Sequence, residues 1–307
     1  MHPMTLLSHY TTRAGLKGIA RSKTLWATRF SDLNDKTEME YGFVELTISA
    51  LRTAMGETEK LMQPYERRAL DYEEAAAKLV AYFRSSFEGE RSSEPLYVFS
   101  FAKGQTAEQE RRGHLTLWDR YTAQKGYCLQ YDREEVLQLL RRESQTNNYA
   151  LLNLVAVQYG IDEADYDYRA ILFQMAQHVL IEVAKGKPGL GLEPQYQKLW
   201  PFSTLATRMY HFFCVHKDPF FEDERETRII AVPAKKAESR VLTGIAFRKE
   251  VKTTPEGRRY IDVGADWDRG IEPRRIIVGP RESGQLDDVL ELFERNPEVI
   301  VADFPIR

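Results

Sequence analysis

Residues 220–232 read FFEDERETRIIAV. Two aromatic residues lead into a run of acidic and basic side chains, which passes directly into an apolar, β-branched segment. Successive side chains of a strand point to opposite faces. A strand starting at Glu224 therefore sets Glu224, Glu226, Arg228 and Ile230 on one face, with Arg225, Thr227, Ile229 and Ala231 on the other. Charges at the entrance to an apolar core are costly unless each has a partner or a task. One reading is a solvated strand end carrying an internal Glu–Arg ladder, and local pattern alone favours it. The other is an active-site strand that presents Glu226 to a substrate.

The chain has 307 residues, enough for one large domain or two modest ones with a substantial core. A formal charge of −3 argues against a dedicated polyanion binder. No apolar run is long enough to span a bilayer, and residues 1–10 lack a charged segment followed by an apolar one, so a cytoplasmic protein is expected, with no membrane partner. Cys128 and Cys214 are the two cysteines, without metal-site or redox-motif spacing. His211 and His216 fall in an aromatic segment where packing explains them, and no metal site is expected.

Along the chain, residues 5–10 read as a strand, followed by a threonine cap and a short amphipathic helix with Leu16, Ile19 and Ala20 on one face. Further strands are expected at 25–27, 96–102, 126–131, 152–159, 240–247, 259–263, 275–278 and 299–302. Helices are expected at about 59–87, from 115, after the cap Asp132 to 142, at about 164–184, over much of 199–216 and at 286–294. Residues 103–113 and 143–148 read as polar loops. Strands and helices alternate without a regular βαβ beat. The expected fold is one α+β domain over 1–307 with mixed or antiparallel central sheets, a helical insertion at about 36–90 and a second helical section at about 162–216.

Phosphate loops, dinucleotide fingerprints, nucleophile elbows and paired-cysteine sites are all absent. What remains is polar residues at element ends: His9, Tyr10 and Thr11; Asn34, Asp35 and Glu38; Ser100; Trp118 and Tyr121; Glu224, Glu226 and Arg228. Each also has a structural explanation. Asn34 and Asp35 suit a helix cap, and Trp118 and Tyr121 suit a core.

Five ordered motifs carry a resemblance. They are L-x-H-Y-T at 7–11, N-D-x-x-E at 34–38, W-x-x-Y…G-Y-C-L-x-Y-D at 118–132, F-x-x-E-x-E-x-R at 221–228 and I-I-V-G-P at 276–280. In this order the chain resembles the bacterial family catalogued as domain of unknown function 2971. Thr227 departs from that family's pattern, which has an aromatic residue after the second Glu. The His9-Tyr10-Thr11 opening is also similar to that of ADP-ribosyltransferase-like domains, especially those that modify DNA bases.

This second resemblance implies an NAD-dependent ADP-ribosyltransferase, of the kind that serves as a toxin or phage-defence effector and modifies a nucleic acid or protein acceptor. Carried over, His9 would hold a ribose of NAD, Glu226 would be the catalytic carboxylate and Glu224 the first member of an E-x-E pair. A fixed carboxylate suits the oxocarbenium-like state in which the nicotinamide bond breaks. Tyr10, Trp118 or Tyr121 would stack on a ring of NAD. Arg228 would hold Glu224 or a pyrophosphate oxygen, and Thr11 and Asn34 would line the site. The reading requires His9 and Glu226 to face one cleft. Two alternatives stand beside it: a non-catalytic module that binds a nucleotide or a partner, and an NAD glycohydrolase with water as acceptor.

Overall fold

Apolar alternation gives β1 (Leu6–Thr11), and Thr12 then turns the chain into α1 (Arg13–Ser22). In this computed structural model the Thr12 hydroxyl accepts a hydrogen bond from the Gly15 amide at 3.3 Å, the expected cap. The structure describes residues 5–33, 96–104, 106–160, 214–233, 249–267, 269–282 and 286–304, with single positions at 56, 169, 170 and 212. Asn34, Asp35, Glu38, the expected helix at 59–87, most of those at 164–184 and 199–216 and the expected strand at 240–247 lie outside the described residues.

After α1 come β2 (Leu25–Arg29), β3 (Tyr97–Ala102), α2 (Ala107–Arg112), α3 (Leu115–Thr122), β4 (Tyr127–Asp132), α4 (Arg133–Thr146) and β5 (Tyr149–Ala156). The strands β6 (Gln158–Tyr159) and β7 (His216–Lys217) pair with each other in parallel. A 3₁₀ helix at Pro219–Glu224 precedes β8 (Glu226–Pro233), followed by β9 (Lys252–Thr253), β10 (Arg259–Val263), β11 (Arg275–Val278), α5 (Asp287–Leu290) and β12 (Glu298–Val301).

The chain divides into two compact units, one of Met1–Asp32, Glu94–Val157 and Phe220–Arg307, the other of Leu33–Ser93 and Gln158–Pro219. The first unit is α+β. Its sheet runs β12-β11-β4-β1-β3-β2-β10-β9, with β8 paired to β3 and β5 to β8. Pairing is antiparallel except between β11 and β12, so the sheet is mixed. One face carries the main core, where Leu7, Phe99, Leu129, Ile229, Ile261 and Ile276 pack with Leu16, Ile19 and Val136 from the helices. A smaller cluster of Trp118, Cys128, Ile277 and Ala302 forms elsewhere.

β3 is the branch point. It pairs with β8 along its whole length, from Tyr97↔Ala231 to Ala102↔Glu226. It also meets β2 at Tyr97 and Val98 and β1 at Ala102. Gly126 brings β4 against β1: at φ +101° a Cβ there would lie 2.6 Å from the Thr11 carbonyl oxygen.

Three local expectations are corrected. Residues 103–113 are not all loop, because α2 forms there. Thr106 caps it, accepting from the Gln109 amide at 3.1 Å, and acidic residues fill its first turn. None of its residues is buried, so no hydrophobic period marks it. Helix α4 runs through the polar 143–146 stretch because Glu143 faces inward. It accepts from the Tyr149 hydroxyl at 2.6 Å, the Gly264 amide at 2.8 Å and Lys249 at 2.7 Å. The expected helix at 286–294 stops at Leu290, and the Glu272 carboxylate takes the amides of Glu294 and Arg295 at 2.8 and 2.7 Å.

Asp132 ends β4 and caps α4, its carboxylate accepting from the amides of Glu134 and Glu135 at 2.8 and 3.2 Å. Asp132→Ala should lower stability by about 1 kcal/mol, read as a drop in the urea midpoint at unchanged slope. A midpoint equal to that of the native chain would show that the cap contributes nothing.

Candidate functional site

The corner at residues 219–228 differs from the expected continuous strand. Pro219–Glu224 is a 3₁₀ helix, and β8 begins only at Glu226. Between them Arg225 has φ +41°, a conformation that costs a non-glycine residue roughly 1–3 kcal/mol. Glu224 therefore does not share the strand face of Glu226 and Arg228. The Arg225 amide donates to Glu222 and its carbonyl accepts from Lys103, so the backbone at this kink is held on both sides.

Each carboxylate has its own guanidinium. Arg228 Nε and Nη2 donate to Glu226 Oε1 and Oε2, both at 2.7 Å, a bidentate pair along one strand face. Both residues are buried, Glu226 at 6% and Arg228 at 2% exposure. Arg228 thus holds Glu226, whereas Glu224 was one of its expected partners. Glu224, also buried, pairs instead with Arg120 of α3, whose guanidinium sits 5.1 Å from the centre of the Phe221 ring. Sequence reading passed over Arg120. Its position inside the W-x-x-Y motif is the one local hint, because the pairing spans 104 residues.

Register places the remaining candidates. The pairs Ser100↔Arg228, Ala102↔Glu226 and Ser8↔Ala102 put Ser8, Ser100, Glu226 and Arg228 on one face of the sheet. By strand alternation His9 and Phe99 belong to the other face, with Ile229. The His9 ring accordingly stacks on Phe99, centroids 4.3 Å apart, and its Nδ1 lies 3.0 Å from the Ser100 carbonyl oxygen. His9 and Glu226 do not face one cleft. The expected ribose contact from His9 beside a Glu226 carboxylate is corrected on that ground.

The aromatic candidates divide as well. Trp118 is fully buried, donates Nε1 to the Arg112 carbonyl at 3.0 Å and meets Tyr10 edge-on at 5.0 Å. The Tyr10 hydroxyl accepts from the His114 amide at 2.7 Å, and burial raises its ionisation well above the ordinary value. Burial likewise pushes the Cys128 thiol up to about 12, which favours its protonated form. Tyr10 and Trp118 are packing residues, not a stacking platform. Tyr121 is exposed at the C-terminal end of α3, and Thr11 ends β1. No cluster of three or more metal-ligating side chains occurs among the described residues.

Burial lowers the His9 imidazole from 6.5 to about 4, against the opposing effect of the Ser100 carbonyl. As pH falls through 6.5 the unfolded chain takes up a proton that the folded chain refuses until about 4. Stability should therefore decline across that window, by up to about 1.4 kcal/mol per pH unit. Urea midpoints at pH 7 and pH 5 should fall less in His9→Asn than in the native chain. An equal fall in both would remove His9 from the account.

No curated protein and no solved structure matches the chain. The motifs at 7–11, 34–38 and 276–280 lie outside the stretch that a family model matches. Residues 117–229, from α3 to the first residues of β8, match the family described as "Protein of unknown function (DUF2971)", and over this stretch the family resemblance holds.

Proposed function

We propose that the chain is a non-catalytic binding module, a sensor for a nucleotide or a partner, on an ADP-ribosyltransferase-like frame. The observation that carries this reading is that the groups NAD chemistry would need are engaged with one another. Glu226 is bound by Arg228 through both oxygens, Glu224 pairs with Arg120, and His9 is tied to Ser100 on the other sheet face. A carboxylate stabilises an oxocarbenium-like state through its negative charge, and the bidentate guanidinium already offsets that charge on Glu226.

One observation favours a second reading, an NAD-dependent ADP-ribosyltransferase or NAD glycohydrolase. The left-handed Arg225 lies between two buried carboxylates, and backbone strain of this kind gathers at functional sites. On this reading Glu226 acts with Arg228 and Ser100 on its own face, without His9. A nucleic acid or protein acceptor would make the reaction a transfer, and water would make it a hydrolysis.

Incubation of the purified chain with NAD, scored for released nicotinamide, separates the two. The binding-module reading expects release no faster than in a protein-free control, with protein, DNA or RNA added as acceptor. Calorimetric titration with NAD and ADP-ribose then asks whether the module is a nucleotide sensor. Release that disappears in Glu226→Gln, with the fold retained by circular dichroism, would overturn the binding-module reading in favour of the enzyme.

A further inference from the structure

A cleft of about 270 Å³ opens in the first unit, lined in part by Glu135, Trp267, Arg269, Glu272, Glu294 and Arg295. None of these residues belongs to the Glu224–Arg228 corner. The three carboxylates are already engaged. Glu135 accepts from Arg274 at 2.6 Å and from Arg295 at 2.8 and 3.0 Å. Glu272 accepts the Glu294 and Arg295 amides at 2.8 and 2.7 Å, and Glu294 pairs with Lys23.

The cations are not all engaged. Arg269 is exposed and makes no hydrogen bond or ion pair among the described residues. The unmatched charge of the cleft is therefore positive, and an open guanidinium suits a carboxylate or phosphate group through two parallel hydrogen bonds. Trp267 supplies a wall. It is partly buried and packed against the main core, so its indole is held in place before any ligand arrives. The Gly270 amide, next to Arg269, donates to the Trp267 carbonyl at 2.7 Å.

We propose that this cleft is a binding site for a small aromatic anion, its ring against Trp267 and its acidic group on Arg269. Pockets for drug-sized ligands span about 300–1,000 Å³, so a space of this size suits a single ring with one acidic substituent. The carboxylates repel an anion less than free ones would, because Glu135 and Glu294 pair with cations and Glu272 accepts two backbone amides.

The test uses the full chain with phenyl phosphate and benzoate as probes, and inorganic phosphate and benzyl alcohol as controls that each carry one of the two features. Saturable binding of at least one probe is expected by calorimetry, tighter than either control. Arg269→Gln should weaken that binding by at least roughly fivefold and leave the thermal midpoint unchanged, because the side chain has no partner to lose among the described residues. The proposal is overturned if neither probe saturates below roughly ten millimolar. It is equally overturned if a control binds as tightly as the probes, or if Arg269→Gln loses less than that fivefold.

Discussion

Glu226 and Arg228 stand two residues apart on β8 and close a bidentate ion pair in the interior of the sheet. The rest of the candidate site depends on this pair. Burying either charge alone is strongly unfavourable, and the attraction repays the desolvation only when geometry and extra hydrogen bonding are good. The i, i+2 spacing supplies that geometry, since both side chains leave the strand on one face. β8 then pairs with β3 on one side and β5 on the other, so the ion pair lies where three strands are joined. The second ion pair, Arg120 with Glu224, fixes α3 to the corner just ahead of the strand.

The same arrangement explains why the acidic stretch can be mistaken for catalytic machinery. A strand end with two carboxylates and an arginine has the composition of an active site and also of a self-neutralising ladder. What decides between them is where the cations go. Here one guanidinium comes from the strand itself and one from a helix far away in sequence. The strained Arg225 backbone lets Glu224 and Glu226 turn to different partners without a break in the chain.

Much of the first unit was legible in the sequence. Alternation and β-branched content located β1, β3, β4, β10 and β11, and the caps Thr12 and Asp132 were readable because a short polar side chain before an amphipathic run has a local purpose. Period two put Glu226 and Arg228 on one strand face, but their bidentate pairing and their burial were not legible, since the expected partner of Arg228 was Glu224 or a pyrophosphate. Other features were not legible. Helix α2 buries no side chain and so leaves no hydrophobic period. Glu143 looks like a loop residue because its partners, Lys249, Gly264 and Tyr149, come from later in the chain. The kink at Arg225 gave no sign either, since a positive φ is invisible without a glycine or asparagine to mark it. His9 lies inside β1, and its face could be assigned only once the β1–β4 and β3–β8 registers were known.

The central claim is that Glu226 and Arg228 serve each other before they serve any ligand. A double-mutant cycle with Glu226→Gln and Arg228→Met, read by urea unfolding at pH 7, measures this directly. Each single change should cost about 3–5 kcal/mol, because it breaks both hydrogen bonds of a buried ion pair, and the double change should cost clearly less than their sum. Additive effects of under roughly 1 kcal/mol each would contradict the claim and leave Glu226 available for chemistry.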